Sequence, residues 1–306
     1  MKNKDYLALG SALGAAFFWS FSFVWFKIAY LAYNPITVVI FRLAISAGLI
    51  FVIARALKRL QKIAVKDIWL FILMSFFEPF IYFLGESYGL KYVSSTVAAV
   101  IVATIPLLSP IAAWYFHKEK VKWINIAGMI FSFIGVALVV LNGNFRFDAS
   151  PLGVGLEFIA VFAAIAYSIV LKNLAARYNT LSIIAWQNLI GVIFFLPLWL
   201  IIDFKDFMNT DFNLQAFRAI ILLAIFSSTL AFVFFTESIR QIGVTRSNTF
   251  INLIPVFVAI LAFIILKDQL GVQKILGIIV VVTGLFLSQL KKRQKKGIDN
   301  IEVHRK

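Results

Sequence analysis

The sequence predicts an all-α integral membrane protein whose ten transmembrane helices form two five-helix inverted repeats. Three observations carry this. The chain of 306 residues is 62% hydrophobic and only 14% charged, with 33 Phe, whereas a soluble domain holds roughly 45–50% apolar and ~25% charged residues. The apolar residues fall into ten runs, each close to the ~20 residues that a spanning helix needs. The second half of the chain also repeats the first in register. These features exclude a disordered or collagen-like chain. Ten spans joined by short loops leave no room for a sizeable soluble domain.

The elements follow in order. Lys2 and Lys4 lead into residues 6–26, a run long enough to span and lacking a small-x-small cleavage site, so it reads as the first span and not as a removable leader. Pro35 opens the second run, 35–54, and a basic loop from Arg55 to Lys66 separates it from the third, 68–88. The fourth, 94–116, stops at Lys118, Lys120 and Lys122, and the fifth covers 123–141. Pro151 precedes the sixth, 152–171; Lys172 and Arg177 lie between it and the seventh, 181–202. An acidic loop from Asp203 to Gln215 leads to the eighth, 216–239, and Gly243 separates that from the ninth, 244–266. The tenth covers 272–290. Residues 291–306 are a polar, basic tail.

An even number of spans puts both ends on one side. Lys2, Lys4, the Arg55–Lys66 loop, the lysines at 118, 120 and 122 and the tail all fall on that side. By the positive-inside rule both termini are expected in the cytoplasm, with the chain multi-pass in the cytoplasmic (inner) membrane. The expected units are residues 1–145 and 146–290, each a five-helix repeat, and 291–306, a cytoplasmic tail. The net charge of +15 does not indicate nucleic acid, because the basic residues lie in short loops and a tail and form no patch on a folded surface. There is no Cys, and the two His, His117 and His304, sit in charged segments. Neither a metal site nor a cofactor is expected.

The internal repeat is read from its least interchangeable residues. Thr96 pairs with Thr245, Pro106 with Pro255, and Lys118-Glu119 with Lys267-Asp268. Gly128 pairs with Gly277 and Gly135 with Gly284; earlier in the chain Lys27 pairs with Lys172 and Tyr33-Asn34 with Tyr178-Asn179. An odd number of spans per copy makes the second copy enter the membrane from the opposite side, which is the inverted-repeat architecture of many secondary transporters.

The residues that carry this pattern resemble the drug/metabolite transporter superfamily, EamA type. They are Phe18-Trp19-Ser20 followed by Phe23, Phe41-Arg42-Leu43-Ala44 after Asn34-Pro35, and Gly89-Leu90-Lys91-Tyr92 with Ser95. Pro106 and Pro255, the Lys118-Glu119 and Lys267-Asp268 pairs, and the paired glycines complete the match, over about residues 6 to 290. Gln187 departs from it, standing where the first half has Arg42. The resemblance implies ten spans in two halves and movement of small metabolites, often outward.

Ionisable residues inside a span cost ~2.5–3.5 kcal/mol each on insertion scales and need a reason. The spans contain Arg42, Glu78, Glu86, Glu157 and Glu237. Glu78 lies roughly 15 Å into its helix, near the midplane. Glu78, Tyr82 and Glu86 share one face at i, i+4, i+8, and Pro79 can bend the helix there. Glu78 and Tyr82 are candidates to line a central cavity; the alternative is a neutral carboxyl bonded to a neighbouring helix. Arg42 cannot shed its charge. It is expected either to pair with Glu157 or Glu86, as a structural or gating ion pair, or to anchor a substrate carboxylate. Glu237 is either an interfacial residue or an inner-gate partner of Arg240 or Arg246.

Thr245, Asn248 and Asn252 make a polar stripe running towards Pro255, which leaves the Ile251 carbonyl without its usual donor. An exposed carbonyl beside Asn252 is a device that broken helices use to bind substrate. Trp19, Ser22, Trp186, Gln187 and Asn188 are further mid-span candidates. Pro79, Pro106 and Pro255 are the expected helix breaks. The paired glycines read as close helix contacts.

Phosphate-loop and zincin motifs are absent from the sequence. The chain is therefore expected not to be an enzyme and not to be its own ATP motor. The reading is a secondary active transporter, an exporter of small metabolites such as amino acids or related compounds, working by alternating access. Its partners would be the substrate, the lipid bilayer and a proton as candidate coupling ion, and it would act as a monomer or homodimer. A membrane enzyme acting on a lipid-linked substrate and a non-transporting scaffold are the alternatives. Against the first, Glu78 and Glu86 stand ~12 Å apart along a helix, too far for one reacting centre; neither rival needs two-sided symmetry.

Overall fold

The computed structural model describes residues 3–93, 98, 101–140, 150–266 and 272–289, and among them there is helix and no strand. Six helices are long and apolar enough to cross a membrane: the segment Tyr6–Phe26 within α1 (Asn3–Ala29), α2 (Pro35–Ala56), α3 (Val65–Tyr92), and later α6 (Pro151–Ala175), α7 (Thr180–Ile202) and α8 (Leu214–Ile242). Between and after them stand the shorter α4 (Ile105–His117), α5 (Trp123–Val140) and α10 (Val272–Gln289), and α9 (244–266), which is built of three consecutive helical segments. Parts of the expected fourth span, including Ser95, Thr96 and Ala99, lie outside the described residues, as do Lys267-Asp268 and the tail 291–306.

Large apolar side chains face outwards all along these helices: Leu13, Val52, Ile111, Ile134, Phe162, Ile193 and Phe286 are exposed. Polar residues such as Ser20, Ser46, Gln187, Asn188 and Asn248 are buried. This is the reverse of a water-soluble surface and suits a bundle surrounded by hydrocarbon.

Three helices are locally irregular, each for a chemical reason. In α3 the segment Phe76–Ile81 winds as a π-turn, with Glu78 in extended backbone (φ −146°, ψ 118°) ahead of Pro79. Proline has no amide hydrogen to continue the ladder. In α8 a π segment, Leu223–Ala231, forms without any proline; the Thr229 hydroxyl bonds the Ala224 carbonyl at 2.9 Å, five residues back. The sequence reading did not foresee this one. In α9 the chain runs as Val244–Asn248, a 3-10 turn Thr249–Asn252, and Leu253–Leu266, the tightening falling where Pro255 removes a donor. Pro106 sits in the first turn of α4, where its missing amide costs nothing.

The glycines of α5 and α10 set the closest helix contact. A Cβ on Gly128 would lie 2.7 Å from the Gly284 carbonyl oxygen, and one on Gly135 would lie 2.9 Å from that of Gly277. Only hydrogen side chains permit this approach.

The bundle has two chemically distinct ends. At one, Asp203 accepts from the Thr37 amide (2.9 Å) and hydroxyl (3.1 Å), closing the start of α2. At the other, Arg177 pairs with Asp67, Lys172 with Glu119 and Arg240 with Glu237. We call the second the basic end.

Candidate functional site

The sequence places an Arg and several Glu in apolar helices, and the fold brings most of them to one place. A cavity in the middle of the bundle is lined by Trp19, Ser22 and Phe26 of α1, Arg42 of α2, and Glu78, Tyr82, Phe83 and Glu86 of α3. Opposite stand Val102 and Ile105, then Ala164 and Ser168 of α6, Phe232 and Phe235 of α8, and Asn248, Ile251 and Ile254 of α9. About 50 Å³ is free to water-sized molecules. One water needs about 10–15 Å³ on this measure, so the cavity has room for a few water-sized molecules and must widen to take a metabolite.

Arg42 is 2% exposed. Its Nε donates to Ser228 Oγ at 2.7 Å, and its guanidinium lies over the rings of Phe83 (4.4 Å to the centroid) and Phe26 (5.0 Å). Its Nη1 is buried without a hydrogen-bond partner among the described residues. The ion pair with Glu86 or Glu157 that its depth suggested is not formed here. Two aromatic faces and a hydroxyl hold the cation instead, an arrangement that guanidinium suits. The π segment of α8 presents Ser228 for this. Beside it the Ser46 and Thr229 hydroxyls lie 2.6 Å apart and Asn188 Nδ2 donates to Ser46 Oγ at 2.7 Å, tying α2, α7 and α8 together.

Glu78 is buried and borders the cavity; no donor among the described residues reaches its carboxylate. Tyr82 donates to Glu86 Oε1 at 3.1 Å. All three residues of the i, i+4, i+8 set border the cavity, although Glu78 stands in extended backbone and only Tyr82 and Glu86 share a continuous helical face. Asn248 lines the cavity floor, where Ser168 Oγ lies 3.4 Å from its Oδ1.

Other candidates lie elsewhere. Asn252 Nδ2 donates to Ser132 Oγ at 3.0 Å, joining α9 to α5. Trp186 Nε1 donates to the Gln61 carbonyl at 2.9 Å, securing the loop after α2. Gln187 Oε1 accepts from Tyr167 at 3.0 Å. Glu237 accepts from Thr180 at 3.0 Å and lies 3.4 Å from Arg240 at the basic end. Glu157 is fully buried, with neither carboxylate oxygen bonded among the described residues. It fits a notch at Gly89, where a Cβ would come within 2.7 Å of Oε1. Pro79 packs on Gly191 of α7.

The sequence reading missed Ser168, Ser228, Phe232 and Phe235. The polar run Ser227-Ser228-Thr229 inside an apolar span was the available signal for the second.

At the basic end Glu119, just past α4, accepts from Lys172 and from the amides of Val244 (2.9 Å) and Thr245 (3.2 Å). Burial pushes its carboxyl up, but the Lys172, Val244 and Thr245 hydrogen bonds outweigh that and hold it below the ordinary glutamate value. Among the described residues no group of three His, Asp or Glu could hold a metal ion.

The model of the EamA-like transporter family matches residues 7–141 and again 151–290. The chain is 26% identical over 249 residues to the uncharacterized transporter YetK of Bacillus subtilis, covering 80% of this chain and 74% of that protein. It is 24% identical over 297 residues to an uncharacterized transporter of Archaeoglobus fulgidus, covering 96% of this chain and 100% of the other. A solved protein crystal structure superposes with a TM-score of 0.78 at 16% identity, over 92% of this chain and 98% of that one.

Proposed function

The chain belongs to the EamA-like transporter family, and on that premise we propose that it is a secondary active transporter, an exporter of a small polar or zwitterionic metabolite such as an amino acid or related compound. The central cavity is the observation that carries this reading. It puts one fixed cation, Arg42, and two carboxyl groups, Glu78 and Glu86, between aromatic walls in the middle of an apolar bundle. Buried charge of this kind is costly in a bilayer and is placed there for ions or substrates.

In this reading ten spans cross the cytoplasmic membrane with both termini inside. Residues 1–145 and 146–290 are inverted five-helix repeats around the cavity, and 291–306 is a cytoplasmic tail. The repeated proline, glycine and loop-charge positions support the two-fold relation. Two conformations differ in which end reaches the cavity, and the solute exchanges between them. The π-turn of α3 and the 3-10 turn of α9 border the cavity and are the natural bending points. Arg42 and Asn248 hold the solute's anionic and polar groups, and the aromatic walls of Trp19, Phe232 and Phe235 hold its apolar part. Glu78 carries a proton as coupling ion.

The test starts from the metabolites retained by cells with and without the protein. Solutes that differ are then assayed for counterflow in proteoliposomes. Saturable exchange that protein-free liposomes lack is expected. If no solute from that pool exchanges faster than in empty liposomes, the transport reading fails.

A further inference from the structure

Transport by alternating access requires the cavity to shut towards each end in turn. At the basic end a single carboxylate ties together three helices that line it. Glu119 follows α4; its partner Lys172 lies near the end of α6; the Val244 and Thr245 amides that it binds open α9. Gly243, at φ +85°, brings that first turn of α9 against the carboxylate, and a Cβ there would lie 2.6 Å from Glu119 Oε1. At the end of α4, His117 Nε2 lies 2.9 Å from the Ile169 carbonyl oxygen.

The geometry connects this cluster directly to the cavity. Ser168 stands one turn before Lys172 on α6, and Asn248 one turn after Val244 on α9. These two residues line the cavity and meet at 3.4 Å. The Glu119 cluster therefore sits about one helical turn, ~5.4 Å, beyond the cavity floor. Its partners are also partly open to water, the Lys172 and Glu119 side chains being 30% and 15% exposed. Water can replace these bonds when the helices part, which is not true of the backbone-to-backbone contact between α5 and α10. The internal repeat sets Lys27, Thr96 and Asp268 against Lys172, Thr245 and Glu119, so the same three kinds of residue recur in the first and second copies.

We propose that Glu119, bonded to Lys172 and to the first amides of α9, is the latch that shuts the cavity towards the basic end. Releasing it frees the start of α9 from α6, separates Asn248 from Ser168 and opens the cavity floor. The proposal rests on the transport reading, but its test needs no substrate, so the two can fail separately.

The chain contains no Cys, so Ser168→Cys supplies a single thiol on the cavity floor. In proteoliposomes of known orientation, a membrane-impermeant maleimide is applied from one side and then from the other. Adding Glu119→Gln should speed labelling from the basic end by roughly tenfold or more, the scale of losing a hydrogen bond to a charged group. Labelling from the opposite end should not rise. Lys172→Met removes one partner and leaves the carboxylate on the two amides, so it should give a smaller rise with the same sidedness. It also serves if Glu119→Gln does not fold. Unchanged labelling in a folded variant, or an equal rise from both ends, overturns the latch.

Discussion

Arg42 and Ser228 meet at 2.7 Å across the α2–α8 boundary, with the guanidinium Nε donating to the serine hydroxyl. The bond fixes the rotation of the guanidinium so that its faces lie against Phe83 and Phe26. Lysine has neither a planar face nor a second nitrogen to make both contacts at once.

Arg42→Lys is therefore expected to destabilise the protein by about 2 kcal/mol, and Ser228→Ala by about 1.5–3 kcal/mol, the range for hydrogen bonds to charged groups. The double variant should lose less than the sum, because both remove one bond. Glu86→Gln should not restore the stability that Arg42→Lys loses, because no ion pair joins Glu86 to Arg42 among the described residues. Unfolding curves in one detergent check this. If Glu86→Gln instead rescues the Arg42 variant, the carboxylate governs this cation and the hydroxyl does not.

The contact between α5 and α10 makes a second expectation. A methyl group on Gly284 would collide with backbone atoms, 2.7 Å from the Gly128 carbonyl oxygen. A rigid backbone cannot yield as a side-chain tip can. Gly284→Ala should cost about 1–3 kcal/mol, the usual penalty of overpacking. Gly48, within α2, has nothing within 4 Å of the corresponding position. Gly48→Ala should be neutral or stabilising by up to ~1 kcal/mol from helix propensity. Melting temperatures in matched detergent compare the two.

How much of this was legible in the sequence depends on local geometry. Tyr82 and Glu86 turn towards the cavity together by ordinary helical spacing, whereas Glu78, in extended backbone within the π-turn, borders the cavity although that spacing is broken there. The same spacing joins Asn248 to Asn252, yet only Asn248 lines it. The 3-10 turn Thr249–Asn252 advances about 120° per residue where an α-helix advances about 100°. Over four residues Asn252 swings roughly 80° further and meets Ser132 of α5. Arg42 was legible as a buried cation but its partners were not. Ser228 stands far away in sequence, and the π segment that presents it contains no proline to mark it. The six long helices were readable from composition, because a membrane demands continuous apolar runs. Which polar residues meet inside depends on helix packing, which leaves little trace in the hydropathy pattern.

Glu119 makes the protein sensitive to acid. Its carboxyl is held below the ordinary glutamate value when folded. A depressed value means that its contribution is fully present above the unfolded value of about 4.3 and is lost as pH falls through the folded value. Stability in detergent should therefore fall as pH drops below about 4.3, and Glu119→Gln should flatten that part of the curve. A variant whose acid limb matches the original would place the sensitive carboxylate elsewhere.

In the proposed transport reading Glu78 is the residue that carries the coupling proton. It borders the cavity in extended backbone just before Pro79, and no donor among the described residues engages its carboxylate. Its oxygens are free for a proton, a solute or water. Glu78→Gln keeps the shape and the capacity to hydrogen-bond but removes titration. The variant should fold and melt like the original. In proteoliposomes it should lose concentrative transport driven by a pH gradient and retain solute counterflow, which needs no net proton movement. Tyr82→Phe, four residues further along α3 and also bordering the cavity, should weaken solute binding several-fold and leave the pH dependence in place, since it removes a hydroxyl and no carboxyl. The measurement is flux at fixed solute with and without the gradient, followed by the concentration dependence of counterflow. Should Glu78→Gln transport at the original rate under a pH gradient, Glu78 is not the proton carrier. Glu86, the other carboxyl bordering the cavity, would then be substituted next.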